Sequence, residues 1–276
     1  MKIIADTPTL YSPAEGRALG ITIIPACTII GEQAYRDYED ISCEAFLQKI
    51  EEGEVPTTSQ PSIGDILEVF EESDEEMLVL PIGDGLSGTY QNMEGAKNMV
   101  ADSKHIHIMN TKTLAGPQRY LVQKAMKLQN EGKDIHTIMQ ELQESIESSV
   151  SFVIPVDFNF LKRSGRLTPL AAKLSNMIKI VPVMTQTEDK KRITLFVIKR
   201  SRRKALEAII EHLEALGVDE NHIISISHGG VADEAEAVAV QMKDTFPKTE
   251  IQQFCLAPSL VTHGGPGCIV IQAVRK

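Results

Sequence analysis

Short apolar runs alternate with amphipathic stretches over the first half of the chain, a pattern that predicts an α/β fold. The run 77–82 (MLVLPI) is apolar at almost every position, which is typical of a central strand covered on both faces. We therefore expect an open, mostly parallel sheet with helices on both faces. Ser62, followed by Asp65, predicts a capping box at one helix start. Strands are predicted at 2–5, 22–25, 77–82 and 105–110, and helices at 43–51, 62–72, 88–103, 116–131 and 135–148.

After about residue 149 the pattern indicates a second, α+β segment. The polar stretch EDKK separates two strand-like runs, so we expect a β-hairpin there. Strands are predicted at 151–155, 181–185, 193–198, 223–227, 251–256 and 268–274, and helices at 201–216 and 231–245. The sequence thus predicts an N-terminal α/β domain over residues 1–150 and a C-terminal α+β domain over residues 151–276. No Pro- or Gly-rich linker separates them.

Charge and hydropathy narrow the classes of protein to which the chain can belong. It has 276 residues, 38 of them acidic and 28 basic, for a net charge of −10. This balance disfavours a general nucleic-acid binder. Residues 190–203 form a basic island, interpreted either as a solvated edge strand leading into a helix or as a docking patch for an acidic partner. No apolar run approaches the ~20 residues of a membrane span, and Asp6 interrupts any signal peptide. We expect a cytoplasmic protein without stable membrane insertion.

The cysteines and histidines are scattered along the chain. The four cysteines form no CxxC motif and no Cys/His metal spacing, so the sequence predicts no metal site. We expect buried, free thiols in a reducing compartment.

Three polar, turn-rich segments follow apolar runs, at 55–62 (VPTTSQPS), 82–90 (IGDGLSGTY) and 261–267 (VTHGGPG). In open α/β sheets, ligands bind where loops leave the carboxyl ends of strands. A loop that leads into a helix also offers free N–H groups and the positive end of the helix dipole, both suited to an anion. Each segment alone is more typical of a plain turn with a helix N-cap than of a binding loop.

The segments PTTSQPS, GLSGTYQ, LKRSGRL and HGGPG together resemble the DegV family of bacterial fatty-acid-binding proteins. The resemblance covers nearly the whole chain, in the family's order and approximate spacing. It implies a DegV-like fold in which both domains form one unit. It also implies a carrier without catalysis of its own that holds a long-chain fatty acid, such as palmitate, in a buried tunnel and needs no cofactor. Some DegV-type proteins present the acid to a separate kinase subunit, which phosphorylates the carboxylate.

The resemblance also implies roles for individual residues. Thr58 and Ser87 are the hydroxyls expected to bind the carboxylate. The alternative is that they cap their local helices, which is compatible with binding because both use the same helix start. His263 is expected near the carboxylate, with an exposed loop histidine as the alternative. Arg166 is expected to hold its loop or to meet the kinase, and plain solvation is the alternative. Arg202 belongs to a second basic patch, 200–203, that is a candidate for partner docking.

Residue chemistry is consistent with this assignment. Hydroxyl donors can bind a carboxylate without an ion pair, whereas an Arg clamp would bind more firmly but hide the oxygen to be phosphorylated. The apolar segments 152–155 and 158–161 either line the tail tunnel or pack in the core. Two positions depart from the family pattern. Asp6-Thr7-Pro8 stands where Asp-Ser-Thr is usual. Asp84 stands where a small hydroxyl residue is common, and its charge would oppose a carboxylate unless it is paired or points away.

Two other functions are compatible with parts of the sequence. Ser87, His263 and an acid could form a hydrolytic triad, but Thr89 replaces the second glycine of the G-x-S-x-G nucleophile elbow. The Gly-rich loops could bind phosphate or a nucleotide, but neither GxxxxGK[ST] nor GxGxxG occurs.

Overall fold

The computed structural model describes residues 1–176 and 180–276, apart from the side chains of 174–176. The strands are β1 (Lys2–Asp6), β2 (Thr22–Ile24), β3 (Cys27–Ile30), β4 (Gln33–Arg36), β5 (Thr57–Ser59), β6 (Met77–Leu80), β7 (Ile106–Ile108), β8 (Val150–Ile154), β9 (Val181–Gln186), β10 (Ile193–Lys199), β11 (His222–His228), β12 (Glu250–Cys255) and β13 (Ile269–Arg275). The helices are α1 (Pro13–Leu19), α2 (Cys43–Glu51), α3 (Ile63–Glu71), α4 (Thr89–Lys97), α5 (Ala115–Asn130), α6 (Ile135–Ser148), α7 (Phe158–Arg163), α8 (Arg202–Ala215), α9 (Ala232–Thr245) and α10 (Pro258–Gly264).

The first sheet is parallel, with the strand order β2-β1-β6-β7. Successive side chains of a strand point to opposite faces, and both faces here are apolar. Ile3 packs with residues of α5 and α6, whereas its neighbour Ile4 packs with residues of α3 and α4. The run at β6 is buried at all four positions. The predicted parallel sheet with helices on both faces is therefore confirmed.

The second sheet has six strands in the order β10-β9-β8-β13-β11-β12. Among its described strands, β11 and β12 pair in parallel and the other neighbouring pairs are antiparallel. Strands β9 and β10 form the predicted antiparallel hairpin. Phe152 and Ile154 of β8 point towards α8 and α9. The opposite face carries Val153 and Val270, which pack with residues of α2 and α10. This second face therefore looks towards the N-terminal half. The boundary at 150/151 remains a prediction.

A third, antiparallel sheet with the order β4-β3-β5 was missed by the sequence analysis. Its strands have only three or four residues each, and TTS at β5 has no apolar alternation. Helices α1, α7 and α10 were also missed, and α4 ends at Lys97 rather than at residue 103. Ser62 caps α3 by accepting a hydrogen bond from the Asp65 N–H (3.0 Å), which is one half of the predicted capping box. The Asp65 carboxylate, which would form the other half, lies 3.9 Å from the Arg36 guanidinium.

The buried carboxylate of Asp37 joins segments that are far apart in the chain. It accepts hydrogen bonds from the hydroxyls of Thr7 (3.1 Å) and Thr28 (3.3 Å) and from the N–H and hydroxyl of Ser259. These residues belong to the turn directly after β1, to β3 and to α10. Burial raises the pKa of Asp37 to about 6, against the opposing effect of these donors.

A second buried carboxylate, Asp6, ends β1. It accepts hydrogen bonds from the Ile82 N–H (3.1 Å) and from Nε2 of Gln118 (2.7 Å). Desolvation by burial outweighs these bonds and raises the pKa of Asp6 to about 7. The loop after β6 is thereby held against the end of β1.

The four cysteines are free thiols, and only Cys268 is buried. The expectation that all four are buried is wrong, because Cys255 is exposed and Cys27 and Cys43 are partly exposed. In the described part of the chain, no helix is long and apolar enough to cross a membrane.

Gly116 is required by the close approach of α5 to β11. A Cβ at this position would lie 1.9 Å from Oγ and 2.2 Å from Cβ of Ser225. We expect Gly116→Ala to lower the free energy of unfolding by about 1–3 kcal/mol, because either the helix or the strand has to move. Gly95→Ala is the matched control in α4, where a Cβ meets no atom within 4 Å. Urea denaturation in which Gly116→Ala is as stable as Gly95→Ala would contradict this account.

Asp6 gives stability a pH dependence with a defined sign. Its pKa rises from 3.8 to about 7 on folding, so the folded chain binds the proton more tightly than the unfolded chain. Its contribution to stability is full below pH 4 and is lost as the pH rises through 7, with a slope of at most about 1.4 kcal/mol per pH unit.

Asp6→Asn should therefore lose stability relative to wild type at pH 5 and regain it at pH 8. Urea denaturation of both proteins across this range measures the difference, in which the titrating groups that do not interact with Asp6 cancel. A constant difference would show that Asp6 does not titrate in this window.

Candidate functional site

Thr58, Ser87 and His263 line one polar compartment in the structure. They come from β5, from the loop between β6 and α4, and from the last turn of α10. The compartment's wall is completed by the loop after β1, the segment after β5 and the start of α10. It consists of Pro8, Ala26, Thr58, Ser59, Gln60, Ile82, Leu86, Ser87, Gly88, Thr89, Arg166, Ser259, Leu260 and His263.

Thr58 and His263 are hydrogen-bonded to each other, although they are 205 residues apart in sequence. The distance between Thr58 Oγ1 and His263 Nε2 is 2.9 Å. Thr58 lies directly opposite Thr28 in the β3–β5 pair, and Thr28 is bonded to Asp37, which also holds Ser259 of α10. The Asp37 network therefore fixes both partners of the bond.

Two local assignments differ from the sequence expectations. Thr58 lies in a strand and does not cap a helix, since Ser62 is the N-cap of α3. His263 lies in helix α10 rather than in a glycine-rich loop, and it is a partly buried residue that lines the polar compartment. The Pro at the first position of α10 was the available signal for a helix start.

The imidazole of His263 is neutral. Burial, and secondarily the charge of Arg166, lower its pKa to about 3. A neutral imidazole with its proton on Nε2 donates to Thr58 Oγ1, which leaves the threonine O–H free to donate into the compartment. The pair can thus donate a hydrogen bond to an acceptor in the compartment although neither residue is charged.

The loop that carries Ser87 lies close to the backbone of other segments at two glycines. A Cβ at Gly83 would lie 2.7 Å from the backbone of Lys112 and Thr113. Gly85 has a φ of +86° and lies against the Lys191 backbone. The Ser87 hydroxyl lies 2.9 Å from that of Thr89. Among the hydrogen bonds of the described residues, none joins Ser87 to His263, so the contact that a serine nucleophile needs from its base does not occur.

Arg166 brings a positive charge to the wall of the compartment. Its Nε–H donates to the Leu86 carbonyl (3.0 Å), and an NH1 proton is donated to the Ser164 carbonyl. Partial burial lowers the pKa of Arg166, but the guanidinium remains protonated at neutral pH. From the sequence, Arg166 was expected to hold its loop or to meet a partner. Its position as a cation in the same wall as Ser87 and His263 was not anticipated.

An apolar compartment adjoins the polar one. The two share Ile82, Leu86, Arg166, Leu260 and His263. The cavity of the apolar compartment has a volume of about 110 Å³, which is smaller than the roughly 300–1,000 Å³ typical of ligand pockets. Its other wall residues are Leu114, Ser151, Phe152, Val153, Leu161, Ser164, Met184, Thr185, Gln186, Ile193, Leu256, Gly264, Val270 and Gln272.

Only part of the apolar sequence predicted for this wall reaches it. Phe152, Val153 and Leu161 line the compartment. Phe158 instead packs against the cluster of Leu161, Leu167 and Met184, and Phe160 is buried beneath the Arg163 guanidinium. Leu86 and Leu260 line both compartments but were not singled out from the sequence, since an isolated leucine in a polar segment carries no distinctive pattern.

The two departures from the family pattern have local explanations. Asp84 is paired with Lys191 (3.3 Å) and accepts a hydrogen bond from Gln91 (3.4 Å), so its charge is compensated. Thr7 bonds to Asp37 and to the Ala26 N–H, and Pro8 lines the polar compartment.

Arg202 lies outside both compartments. Its guanidinium forms an ion pair with Glu234 (2.6 Å) and donates to the Gly267 carbonyl (2.8 Å). Arg202 thereby ties α8 to α9 and to the turn that follows α10. Its neighbour Arg203 is an exposed residue paired with Glu207 in the same helix.

Comparison with known proteins places these features in a family. The model for the DegV family, described as uncharacterised proteins, matches residues 1–276. A DegV domain-containing protein of Lactococcus lactis is 28% identical, with 100% of this chain and 98% of the relative covered. A DegV domain-containing protein of Listeria innocua is 26% identical, with 97% and 95% covered.

Solved structures agree in fold. A DegV family protein from Thermus thermophilus, described as binding fatty acid, has a TM-score of 0.89 at 26% identity, with 100% of this chain and 99% of that one covered. DegV from Bacillus subtilis, described as a fatty acid binding protein, has a TM-score of 0.87 at 25% identity and the same coverage. The match over the whole length, together with the two-sheet architecture, shows that this chain belongs to the DegV family.

Proposed function

We propose that this protein binds one long-chain fatty acid, with the acyl tail in the apolar compartment and the carboxylate in the polar one. The observation that carries the proposal is the junction of the two compartments, which share five wall residues. An amphiphile with a single polar end matches this division. The fatty acids bound by the Thermus thermophilus and Bacillus subtilis relatives support the same ligand class.

The tail supplies most of the driving force in this proposal. At about 0.8 kcal/mol per buried CH₂, a C16 chain offers on the order of 10 kcal/mol before the costs of ordering and association. The head group therefore determines orientation and chemical class more than affinity.

The carboxylate is held by neutral donors next to one cation. The hydroxyls of Thr58 and Ser87 donate to it, and His263 fixes the direction of the Thr58 hydroxyl through the 2.9 Å contact. Arg166, in the same wall, stabilises the negative charge through space while its Nε–H stays bonded to Leu86. The carboxylate is then bound without a bidentate clamp, which leaves an oxygen accessible.

We further propose that the protein is a cytoplasmic carrier, not an enzyme, that presents the bound acid to a fatty acid kinase. An accessible carboxylate oxygen is what a phosphoryl transfer to the ligand requires. The basic segment around Arg166 and the exposed guanidinium of Arg203 are the proposed docking positions for the acidic surface of that kinase. In this arrangement Arg202 acts indirectly, by holding the turn after α10.

The first test is the ligand that accompanies the purified protein. Native mass spectrometry followed by denaturing extraction should find one fatty acid of roughly C14–C18 per chain, as expected for a buried tail of this length. A chain that is empty after purification and also takes up neither palmitate nor oleate would refute the proposal.

Substitution of the head-group donors tests the orientation. Thr58→Ala and Ser87→Ala should each weaken palmitate binding roughly 10- to 100-fold, because each removes one hydrogen bond to a charged group. Isothermal titration or displacement of a fluorescent fatty acid measures the loss.

Thr57→Ala is the matched control, since Thr57 is the exposed neighbour in the same strand. Hexadecanol, which has the same tail without the carboxylate, should lose much less affinity than palmitate in both donor variants. Equal losses for alcohol and acid would show that the two hydroxyls do not hold the carboxylate.

A further inference from the structure

Two thiols that are 212 residues apart in sequence meet at the surface. Cys43 is the first residue of α2 and Cys255 is the last residue of β12, and their Sγ atoms are 2.8 Å apart. Cys43 Sγ also lies 3.3 Å from the Leu256 carbonyl oxygen. This contact brings the N-terminal half of the chain against the segment that leads into α10.

The two thiols differ in environment. Cys255 is exposed, whereas Cys43 is partly buried. The hydrogen bond from Cys43, together with one from the Gly230 N–H, lowers the pKa of Cys255. The same thiol–thiol bond, and then burial, raises the pKa of Cys43. Cys255 is therefore the more acidic of the two thiols and faces solvent, and Cys43 is the neighbouring thiol that can react with its oxidised form.

We propose that Cys43 and Cys255 form a reversible intramolecular disulfide when the protein meets a hydroperoxide. The Cys255 sulfur attacks the terminal peroxide oxygen, which breaks the O–O bond, gives Cys255 sulfenic acid and releases water or an alcohol. The Cys43 sulfur then attacks the sulfenic sulfur, and the sulfenic hydroxyl leaves as water with the Cys43 proton. The two thiols lose two electrons in total, and the peroxide gains them.

The local geometry favours this product over other oxidised forms. The sulfurs need to approach by less than 1 Å to reach the S–S bond length of about 2.05 Å. The other two thiols, Cys27 and Cys268, are less acidic than Cys255. Burial raises the pKa of Cys27, and burial raises the pKa of Cys268 to about 12. A disulfide that forms and is reduced again suits a compartment in which thiols are otherwise kept reduced.

The cross-link would act on the wall of the ligand cavity. Leu256, next to Cys255, lines the apolar compartment, and Phe46 of α2 packs in one cluster with Leu256 and Val261 of α10. The oxidised form thus ties α2 to the lead-in of the helix that carries Leu260 and His263. The disulfide closes a loop of more than two hundred residues, which restricts the unfolded chain strongly.

Counting free thiols tests the proposal. The reduced full-length protein is treated with a small excess of hydrogen peroxide, quenched with catalase, denatured and alkylated with N-ethylmaleimide. Intact mass spectrometry should show two adducts instead of the four of the reduced protein, and four again after reduction with a phosphine. Peptide mapping should link the peptides that contain Cys43 and Cys255.

Three variants make the result specific. Cys27→Ser is the matched control and should still lose two thiols on oxidation. Cys43→Ser should instead accumulate a sulfenic acid at Cys255 that dimedone traps, and Cys255→Ser should keep all three of its thiols. Four adducts in the treated wild type, a sulfinic acid at Cys255 with Cys43 free, or a disulfide only between two chains would each overturn the proposal.

Thermal unfolding supplies an independent measurement. The oxidised wild type should melt about 5–10 °C above the reduced form, and the same treatment should leave the Tm of Cys43→Ser unchanged. An oxidised wild type that melts at or below the temperature of the reduced form would show that the pairing does not fit the fold.

Discussion

The buried carboxylate of Asp37 is the interaction on which the rest of the site depends. It gathers donors from the turn directly after β1, from β3 and from the start of α10. Burial of a carboxylate is costly unless its oxygens are well hydrogen-bonded, and the hydroxyls of Thr7, Thr28 and Ser259 provide this without a cation. The candidate site depends on this arrangement. Asp37 holds β3, which pairs with the strand that carries Thr58, and it holds α10, which carries His263.

The hydrophobic pattern predicted most of the scaffold correctly. The strands β1, β2 and β6 appear in the sequence as short continuous apolar runs because both of their faces are buried, and the helices α2 and α6 appear because their apolar side chains repeat at the helical period. The small sheet could not be found in this way. Its strand β5, TTS, has one inward residue, Thr58, and makes its contacts through backbone pairing and one side chain. Helix α10 was missed for a similar reason. It has only seven residues, about two turns, which is too short for a repeat of apolar residues to become visible.

The chemistry of the candidate site was only partly accessible from the sequence. Thr58, Ser87 and His263 were named from a resemblance, and the structure places them in one compartment. The contact between Thr58 and His263, the charge of Arg166 beside them and the Asp84–Lys191 pair all depend on tertiary proximity. Sequence separation hides such pairs, since no local pattern connects residues that meet only after the two large sheets have packed. The Cys43–Cys255 contact was hidden for the same reason, and so the thiols seemed unrelated.

The distance in sequence between Thr58 and His263 also sets an order of events during synthesis. Parallel strands β1, β2, β6 and β7, with helices α3 to α6, are complete by residue 148, and such a unit can assemble as the N-terminal part emerges from the ribosome. At that stage Ser259, which binds Asp37, and His263, which binds Thr58, have not yet been synthesised. The cavity is therefore completed only when nearly the last segment of the chain, which carries α10, has been translated.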